Sequence, residues 1–442
     1  MPNKADIEKA LRQLTENQTK YEKTERYYSG NHDLKFATEK FKTAFGTLFR
    51  EFALNLCPAI CDALRDKLKI KNFNVEDGGA NLPKDAWKIW QDNRMGVRSG
   101  EVHKEAVKNG DAYVIVWVDR EKKVTIYPQK ARNCTVVYDE EMPGKILWAA
   151  KVWKTNDKKS RLNLYYPDRT ERYITKAKVE AGLPDAGALV PFTDDGQPII
   201  PNPYGIVPVF HFANNSDIGS PGQSELVSAM PIQDGLNKSV LDMLVAMEFA
   251  SYRQRWASGI EIEYDDDGKP IPPYTAGIER LWVTESPEAK FGDFEAANLE
   301  QFLKVKADFR VDMACVTGTP LYYFMLTSGD MPSGESLKKS ETRFINKVTD
   351  RQESFGQVWE DVMSFALTLE GKKDVRLFTD WEDPAPLSET DKLNNIILKK
   401  EIGISDEQAL IEAEYGETDI KKMLEAKQMK ADAAINSFNA GE

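Results

Sequence analysis

The stretch from Gln223 to Trp256 limits the possible folds of this chain more than any other feature of its sequence. Its apolar residues recur with helical spacing but cover more than one narrow stripe of the predicted helix. They are Leu226, Met230, Leu236, Val240, Leu241, Leu244 and Met247. At about 1.5 Å per residue this helix would reach roughly 50 Å, which is longer than a small domain is wide. A helix that is apolar on several faces needs neighbours on several sides.

The composition indicates a folded chain with more than one structural region. Its 442 residues exceed what one compact core usually holds, so two or more regions or an extended oligomer are expected. Hydrophobic residues make up 41% and charged residues 29%, as in folded soluble proteins. The net charge of -12 argues against tight binding of nucleic acid, which needs a basic surface. A channel through which DNA slides is a separate case, because strong attraction would hinder movement there.

The cysteines and the N-terminal sequence predict an intracellular protein. Only Cys57 and Cys61 are close together among the four cysteines, so reduced thiols are expected rather than a disulfide framework. The start, MPNKADIEKALRQL, has no apolar signal region, and no run approaches the ~18 apolar residues of a membrane span. We therefore expect a soluble protein that is neither exported nor held in a membrane.

The first half of the chain predicts helices followed by strands. Helical periodicity covers residues 5–28, where Gly30 can supply a left-handed cap. Two further helices are predicted at about 54–68 and 84–110, the second with a break near 94–100. Short β-branched and aromatic runs follow: DAYVIVWVD, VTIYP, CTVVYD, ILWAAKVW and LNLYYPDRTERYIT. They predict one antiparallel sheet, the β part of an α+β region, and the proline-rich QPIIPNPYGIVPVFHFAN predicts an extended connection after it.

The second half predicts a compact insertion between long helices. Residues 258–293 combine prolines and glycines with short extended runs and predict a non-helical region. Helix resumes over 294–318, where Gly318 and Pro320 end it in the usual order. The longest periodic segment of the chain then starts at Glu335. Its apolar residues step by sevens, fours and threes: Leu337, Phe344, Val348, Phe355, Trp359, Val362 and Ala366.

The C-terminal part predicts one strand and several short helices. Gly371 closes the long helix, and VRLFTDW predicts the strand. SETDKLNNIILKKEIGI and SDEQALIEAEYGETDIKKMLEAKQ predict the helices, with Ser405 and Gln408 placed as a capping box. Residues beyond about Ala431 are expected to fray.

One short stretch, GDMPSGES, has the glycine spacing of a nucleotide-binding loop. Gly329 and Gly334 are spaced as in the P-loop, and Ser336 stands where that motif has its hydroxyl. Glu335 occupies the position of the phosphate-binding lysine and would place a carboxylate against the phosphates. A helix start is the better prediction, because Ser333 can cap it and Glu335 suits the positive end of its dipole.

Other candidate sites have less support. Ser336 and Lys339 also spell S-x-x-K, but the S-D-N and K-T-G elements of the acyl-transfer enzymes are absent. The turn DDDGKP resembles a calcium loop until its twelfth position, where Tyr274 replaces the bidentate Glu, so a solvated hairpin turn is predicted. The three histidines have neither H-E-x-x-H nor C-x-x-C spacing. No catalytic residue, metal site or cofactor is therefore predicted.

Four stretches of the chain occur in an order that is typical of one known family. YYSGNH is similar to a Y-Y-x-G opening, KNGDAYVIVW to a G-D-A-Y strand start, and NPYGIVPVFHFAN to a G-x-[VI]-P-V segment. The longest match is GQSELVSAMPIQDGLNKSVLDMLVAMEFASYRQRWASGI. Its matching positions are Ser224, Glu225, Leu226, Gln233, Asp234, Asn237, Asp242, Glu248, Arg255, Trp256 and Gly259. Over about residues 21–424 the chain resembles the portal proteins of tailed bacteriophages, specifically the siphophage-type portal family.

The resemblance implies an α+β portal fold. Copies of such a chain close into a ring, typically dodecameric, at one vertex of a capsid, and double-stranded DNA passes through its central channel. The fold has an α/β wing, two long channel-lining stem helices, a β-containing clip, a long wing helix and a small helical crown. The implied boundaries are 1–222 for the N-terminal part of the wing, 223–257 for stem helix one, 258–293 for the clip, 294–318 for stem helix two, 319–334 for the tunnel loop, 335–385 for the long wing helix and strand, and 386–442 for the crown.

The resemblance also implies two sets of functional residues. The residues expected to meet DNA are Leu321, Tyr322, Tyr323, Phe324, Met325 and Ser328 of the tunnel loop, with Lys338 on the next helix. The residues expected to pack between subunits or to dock an adaptor are Tyr264, Ile271, Tyr274, Leu281 and Trp282 of the clip. A local ring of positive charge around the channel could be formed by Lys304, Lys306, Lys338 or Lys339. Each of these lysines also fits an ordinary solvated helix surface.

The implied partners are those of a structural ring without catalytic activity. They are other copies of the chain, DNA in the channel, the terminase large subunit, a head–tail adaptor, and the major capsid and scaffolding proteins. The implied location is the portal vertex of a virion, after assembly in the host cytoplasm. Two alternatives stay open. One is a packaging-associated nucleotide hydrolase, suggested only by GDMPSGES. The other is a different head–tail connector or minor capsid protein, against which the chain length and the pair of long helices argue.

Overall fold

The computed structural model describes most of the chain and divides it into two compact units. The described residues are 4–33, 35–36, 43, 54–75, 81–119, 121–142, 144–193, 196–217, 221–251, 255–259, 264–269, 287–293, 299–325, 334–372, 374–385, 389–413, 415 and 417–439. The first unit is Met1–Glu382 and the second is Asp383–Glu442. Both contain helices, and the first also contains strands, so the chain is a mixed α+β protein, as predicted.

The helices of the first unit follow the predicted periodicity closely. They are α1 Lys4–Tyr28, α2 Cys57–Asp66, α3 Leu82–Asp92, α4 Met95–Asn109, α5 Met230–Ser251, α6 Glu300–Thr317 and α7 Gly334–Leu369. The predicted break between α3 and α4 falls at Arg94, which has a left-handed backbone with φ 54°. The first helix and the longest helix are confirmed, and each is followed by a glycine with positive φ, Gly30 and Gly371.

The strands form four antiparallel sheets among the described residues. They are β1 Ile70–Val75, β2 Asp111–Val118, β3 Val124–Gln129, β4 Cys134–Tyr138, β5 Ile146–Lys154, β6 Ser160–Tyr165, β7 Arg169–Thr175, β8 Leu189–Pro191, β9 Ile199–Pro201, β10 Val209–Ala213, β11 Arg255–Ser258, β12 Lys290–Asp293 and β13 Leu377–Trp381. β1 pairs with β13 and β11 pairs with β12. A three-stranded sheet has the order β10-β2-β3. A six-stranded sheet has the order β4-β5-β6-β7-β8, with β9 also paired to β7.

The prediction of one antiparallel sheet was wrong, because the strands divide between the three-stranded and the six-stranded sheets. β2 is buried on both of its faces. Val114 belongs to the core formed with the helices, whereas Ile115 faces the six-stranded sheet across a second cluster that contains Val136. The stretch predicted as an extended connection contains no helix, and its end, Val209–Ala213, is strand β10, which pairs with β2.

The main hydrophobic core surrounds α7. Phe344, Val348, Phe355 and Trp359 are each at most 2% exposed, at the spacing that the sequence predicted. Trp359 meets Trp90 of α3 edge to face, with ring centres 5.0 Å apart. Burial of each such side chain contributes roughly 1.5–3 kcal/mol to the free energy of folding, so the packing of α7 stabilises the first unit strongly.

The two helices around the insertion are shorter than predicted. α5 begins at Met230 rather than near Gln223, and it ends at Ser251. The predicted helix included Arg255 and Trp256. These two residues instead belong to strand β11, Arg255–Ser258, which pairs with β12. The pairing of β11 with β12 places the two ends of the insertion side by side.

The second unit consists of three helices among its described residues. They are α8 Glu389–Glu401, α9 Asp406–Glu412 and α10 Glu417–Asn439. The hydroxyl of Ser405 accepts a hydrogen bond from the backbone N–H of Gln408, as the predicted cap requires. The prediction that residues beyond Ala431 fray was wrong for the backbone, because α10 continues to Asn439.

Candidate functional site

The segment that follows α6 contains most of the residues predicted to meet DNA. α6 ends at Thr317, and the next residue, Gly318, has a φ of 66°, which suits glycine and strains other residues. Pro320 then leads into a single 3-10 turn, Leu321–Tyr323, and the described backbone continues to Met325. The segment therefore starts from a sharp reversal at the end of a helix.

The side chains of this segment differ in their exposure. Leu321 is exposed, Tyr322, Tyr323 and Met325 are half-buried, and Phe324 is buried. Phe324 is 6% exposed and belongs to the main core with Met313 and Phe344. Contact between Phe324 and DNA would require the segment to leave the core, whereas Leu321 is accessible without movement.

Two tyrosines attach the segment to α7. The rings of Tyr322 and Tyr323 stack with centres 4.6 Å apart. The Tyr322 hydroxyl donates a hydrogen bond to the carboxylate of Glu341, and burial together with this bond raises the pKa of Tyr322. The Tyr323 ring lies 5.8 Å from that of Phe344. A displacement of α7 would therefore act directly on the segment.

Cations from α7 also cap the C-terminal end of α6. Arg343 donates from Nη1 to the carbonyl oxygen of Cys315 at 3.1 Å. Lys347 donates from Nζ to the carbonyl oxygen of Thr317 at 2.9 Å. Positive charge at this end of a helix is favourable, because the last carbonyl groups have no partner within the helix. The end of α6 and the middle of α7 are thus held together immediately before the segment.

A buried charge network continues this connection into the residues before α5. Glu225 accepts from Lys347 at 2.5 Å and from Arg351 at 3.1 Å. Burial opposes the ionisation of Glu225, but these two cations outweigh it and hold the pKa of its carboxyl below the ordinary value. Arg351 also donates from Nε to Oδ1 of Asn214 at 2.7 Å. A cavity of about 490 Å³ lies beside this network.

The aspartate of the G-D-A-Y stretch serves the structure of the first unit. Asp111 is fully buried and accepts hydrogen bonds from Tyr21 at 2.7 Å and from the backbone N–H of Gly222 at 2.8 Å. Its Oδ1 lies 2.9 Å from Nε2 of His211. The glycine before it, Gly110, has φ 96°, and a Cβ there would come within 2.5 Å of the Gly222 carbonyl oxygen.

The long matching stretch before and within α5 joins the first two helices to the rest of the unit. Gln233 donates to the carbonyl oxygen of Leu54 at 2.6 Å and accepts from the backbone N–H of Leu56 at 2.9 Å. Asp234 accepts from the hydroxyl of Tyr27 at 2.7 Å. Both polar residues are buried and hydrogen-bonded, so their role in connecting these segments is enough to explain why Gln and Asp occur here.

The residues predicted to form the contacts of a clip are described only in part. Tyr264 is 63% exposed, whereas Ile271, Tyr274, Leu281 and Trp282 lie outside the described residues. Ser328 and the side chain of Lys338 lie outside them as well. At the predicted solvated turn, the Asp265 carboxylate accepts from the backbone N–H groups of Asp267 and Lys269, as in a tight hairpin turn.

The helix α6 exposes apolar side chains that a monomer would leave in water. On α6, Leu303 is 57%, Val305 41% and Val316 45% exposed. Two residues along a helix turn by about 200°, so Leu303 and Val305 lie on nearly opposite faces. The sequence predicted wide apolar coverage for the helix at 223–256, whereas the exposure of Leu303 and Val305 on α6 is a finding of the structure. In the described part of the chain, no helix is long and apolar enough to span a membrane, and no metal-binding cluster of His, Cys, Asp or Glu occurs.

Comparison with known proteins gives one consistent result. The model of the family described as "Phage portal protein, SPP1 Gp6-like" matches residues 7–434. The portal protein of Mycobacterium phage D29 is 23% identical over 345 residues, which cover 73% of this chain and 67% of that protein. The portal protein of Mycobacterium phage L5 is 23% identical over 339 residues, with the same two shares. A chain from the neck of an empty GTA particle matches in fold with a TM-score of 0.50 at 10% identity, over 86% of this chain and 95% of that one.

Proposed function

This chain belongs to the SPP1 Gp6-like family of phage portal proteins, and we propose that its copies close into a dodecameric ring through which double-stranded DNA enters and leaves a capsid. Proteins of this family are structural components of the virion, at its portal or neck, and are not enzymes. The nucleotide hydrolase suggested by GDMPSGES is therefore set aside. The match over residues 7–434 likewise favours a portal protein over another connector or minor capsid protein.

The observation that carries the ring proposal is the pair of exposed apolar faces on α6. Leu303 on one face and Val305 on the other would each cost free energy in water, by roughly 1.5–3 kcal/mol for a fully exposed side chain of this size. A subunit with two different apolar faces can meet one neighbour on each side. Such heterologous contacts form a closed ring when the rotation between subunits closes.

The charge distribution supports passage of DNA rather than tight binding. Lys304 of α6 lies 3.8 Å from Glu300, and both side chains are exposed. A surface pair of this kind contributes about 0–1 kcal/mol and leaves no strong excess of positive charge. In a chain of net charge -12, contacts with the phosphates would be weak and local, as sliding requires.

We assign the regions of the portal fold to the same boundaries that the sequence suggested. They are the wing at 1–222 and 335–385, the stem helices at 223–257 and 294–318, the clip at 258–293, the tunnel loop at 319–334 and the crown at 386–442. α5 and α6 lie within the two stem regions, and the β11–β12 pair closes the base of the clip. The exposed Tyr264 supports a contact role for the clip, with Ile271, Tyr274, Leu281 and Trp282 as its further contact residues.

The contacts of the tunnel loop support a gating role. Leu321 would touch DNA in the resting position, and Tyr322 and Tyr323 would follow α7 when it moves. Phe324 would leave the core only in a displaced state. Met325, Ser328 and Lys338 complete the proposed DNA contacts of this region.

The proposed partners follow from the portal role. They are neighbouring copies of the chain, the terminase large subunit during DNA packaging, a head–tail adaptor afterwards, and the major capsid and scaffolding proteins of the shell. Assembly would take place in the host cytoplasm, before the protein becomes part of the virion.

Electron microscopy and mass photometry of the purified chain test the ring. We expect annular particles of about twelve subunits, in line with the closed symmetry of homo-oligomers. The Leu303→Asp variant should remain folded but monomeric, and Gln301→Glu, at an exposed position of the same helix, should still form rings. Rings formed equally well by Leu303→Asp would refute the assignment of α6 to the subunit interface.

Deletion of residues 322–328 tests the gating role separately. Because the loop is proposed to touch DNA and not to assemble the ring, particles with the shortened loop should form rings but retain less DNA after packaging. Unchanged DNA packaging and retention in these particles would show that the loop does not act as a gate.

A further inference from the structure

The second unit, Asp383–Glu442, has a smaller hydrophobic core than a unit of its length needs. Its middle helix, α9, packs against both α8 and α10. Among the described side chains of this unit, only three apolar ones are buried: Ile396, Ala409 and Ile420. A domain of about 60 residues is marginally stable even when it buries about 60% of the surface that its unfolded chain exposes. Helices joined by so small a core need further apolar contacts to stay folded.

Apolar side chains of the same unit remain exposed in the single chain. Those that are at least 42% exposed are Leu393, Ile397, Leu398, Ile402, Ile411, Met423 and Met429. The first three lie on α8, and Ile402 directly follows this helix. Exposed apolar residues that are scattered singly are ordinary, but these are concentrated in a unit whose own core is small. We conclude that another molecule covers part of this surface when the protein is assembled.

The exposed residues of α8 form two stripes that face different directions. Leu393 and Ile397 are four residues apart and share one face of the helix. Leu398 and Ile402 share another, because the backbone N–H of Ile402 donates to the carbonyl oxygen of Leu398 at 3.2 Å and continues the helical turn. At about 100° per residue, the two stripes point about 140° apart around the helix. The buried Ile396 lies outside both stripes, so they are additional to the packing within the unit.

The surface between the two stripes is polar. Asn394 and Glu401 lie on it, and both are exposed. In a closed ring of about twelve copies, the directions from one copy to its two neighbours are about 150° apart. On a helix that runs along the ring axis, the two stripes would therefore face the two neighbours, and the polar surface between them would face water at the axis. A dimer with two-fold symmetry would need one apolar patch rather than two.

We propose that the two stripes of α8 pack against α8 of the two neighbouring copies, so that the core of the second unit is completed only in the ring. Leu393 and Ile397 of one copy would contact Leu398 and Ile402 of the next. Neighbouring copies are the favoured occupants because closed symmetry places the same unit of every chain at the same height, between two copies of itself. The inference rests on the proposed ring but uses residues separate from the apolar faces of α6.

Cysteine crosslinking in the full chain tests this contact. The variants carry Cys315→Ser, because Cys315 is exposed whereas the other three cysteines are buried. Copies with Ile397→Cys and copies with Leu398→Cys are assembled together in equal amounts and treated with a short bismaleimide. We expect covalent dimers and nothing larger, because each copy carries one accessible thiol and the two positions face each other across the contact. Rings of either variant alone should give at least tenfold less dimer.

Asn394→Cys assembled with Leu398→Cys is the matched control, because Asn394 lies on the polar surface between the stripes. This mixture should also give at least tenfold less dimer than the first one. Rings that crosslink equally in the two mixtures, or in neither, would overturn this inference and leave the ring proposal intact. Failure of the unmodified chain to form rings would refute both.

Hydrogen exchange provides the second measurement, on rings and monomers of the unmodified chain separated by gel filtration. Amides 393–401 of α8 should exchange at least tenfold more slowly in rings, because covering the two stripes suppresses local unfolding. Amides 355–366 of α7 lie in the core of the first unit and should exchange equally in both forms. Equal exchange of α8 in rings and monomers would contradict the proposal. So would protection of α8 that appears only after the major capsid protein is added, since it would assign the stripes to the shell instead.

Discussion

Individual polar residues of this protein are buried where they connect distant segments. Asp111 accepts hydrogen bonds from Tyr21 and Gly222 and contacts His211, residues that are far apart in the chain. Burial opposes ionisation of Asp111, but the His211 hydrogen bond and the surrounding charges outweigh it and hold the pKa of its carboxyl below the ordinary value. A charge held in this way stabilises the fold only while its partners remain in place.

Replacement of Asp111 tests this role. We expect Asp111→Asn to lower the free energy of unfolding by about 3 kcal/mol, because the amide replaces one of the two acceptor oxygens by an NH2 group and removes the charge that faces Lys20. Asp92→Asn, at an exposed position of α3, should change it by less than about 0.5 kcal/mol. Urea unfolding at neutral pH gives both values. A loss below about 1 kcal/mol for Asp111→Asn would mean that the network is dispensable.

A buried histidine predicts how stability changes with pH. His103 donates from Nδ1 to the carbonyl oxygen of Leu68 at 3.1 Å and accepts from the indole N–H of Trp359 at 2.8 Å. Burial lowers the pKa of His103 from 6.5 to about 3. Above pH 6.5 the residue is neutral in both the folded and the unfolded state. As pH falls below 6.5 the unfolded chain alone takes up the proton, so stability is lost until the folded pKa is reached.

The size of this effect can be measured with a variant that does not titrate. Between pH 7.5 and pH 5.5 the proton on His103 should cost the wild type about 1.4 kcal/mol of unfolding free energy, at 1.36 kcal/mol per pKa unit. His103→Gln should be less stable than the wild type at pH 7.5 but should lose about 1.4 kcal/mol less between the two pH values. Denaturant unfolding at both values provides the comparison. Identical losses in the two proteins would show that His103 is not the titrating group.

At the scale of elements, hydrogen bonds link α7 both to the end of α6 and to the segment after α6. Arg343 and Lys347 hold the end of α6, and Glu341 holds Tyr322 four residues beyond Gly318. All three of these side chains project from α7. A rigid helix that holds both the end of its neighbour and the following turn moves them together.

The Tyr322 hydrogen bond is the part of this connection that is simplest to remove. Tyr322→Phe should speed hydrogen exchange of amides 321–325 about tenfold, which corresponds to roughly 1.4 kcal/mol for a hydrogen bond to a charged group. Tyr127→Phe makes the same chemical change at an exposed site and should leave this exchange unaltered. Mass spectrometry of exchanged peptides measures both. Equal exchange in wild type and Tyr322→Phe would mean that Glu341 does not restrain the segment.

At the scale of the whole molecule, the exposed faces of α6 predict the type of symmetry. Leu303 and Val305 lie on nearly opposite faces of one helix and remain exposed in the single chain. A dimer with two-fold symmetry would use one patch twice, whereas a ring uses two different patches once each.

A mixing experiment distinguishes these two forms of assembly. Leu303→Asp and Val305→Asp should each be monomeric alone, because each lacks one of the two faces. Mixed in equal amounts, they should form dimers and nothing larger, since the intact face of each variant fits the intact face of the other. Mass photometry resolves the species. Rings in the mixture, or no association at all, would contradict a two-faced interface at α6.

Much of the fold could be predicted because helical periodicity and glycine caps are local properties. The segments at 5–28 and 335–371 became α1 and α7, and Gly334, Glu335 and Ser336 of GDMPSGES begin α7, whereas the predicted cap Ser333 lies outside the described residues. The candidate site was predicted less completely. The order of motifs indicated the segment around Tyr322, but not that Phe324 is buried or that Glu341 holds the tyrosine.

The sequence by itself determined the α+β class, the presence of the long helices and the ends of α1 and α7, because neighbouring residues set backbone conformation and the burial of a helix face. Only the tertiary structure decided that the strands divide into two sheets, that Val209–Ala213 pairs with β2, and that Glu225 meets Lys347 and Arg351. It also decided that Lys151, Arg161 and Arg172 line one cleft. These contacts join residues far apart in the chain, and their free energy depends on packing and desolvation that no local pattern records.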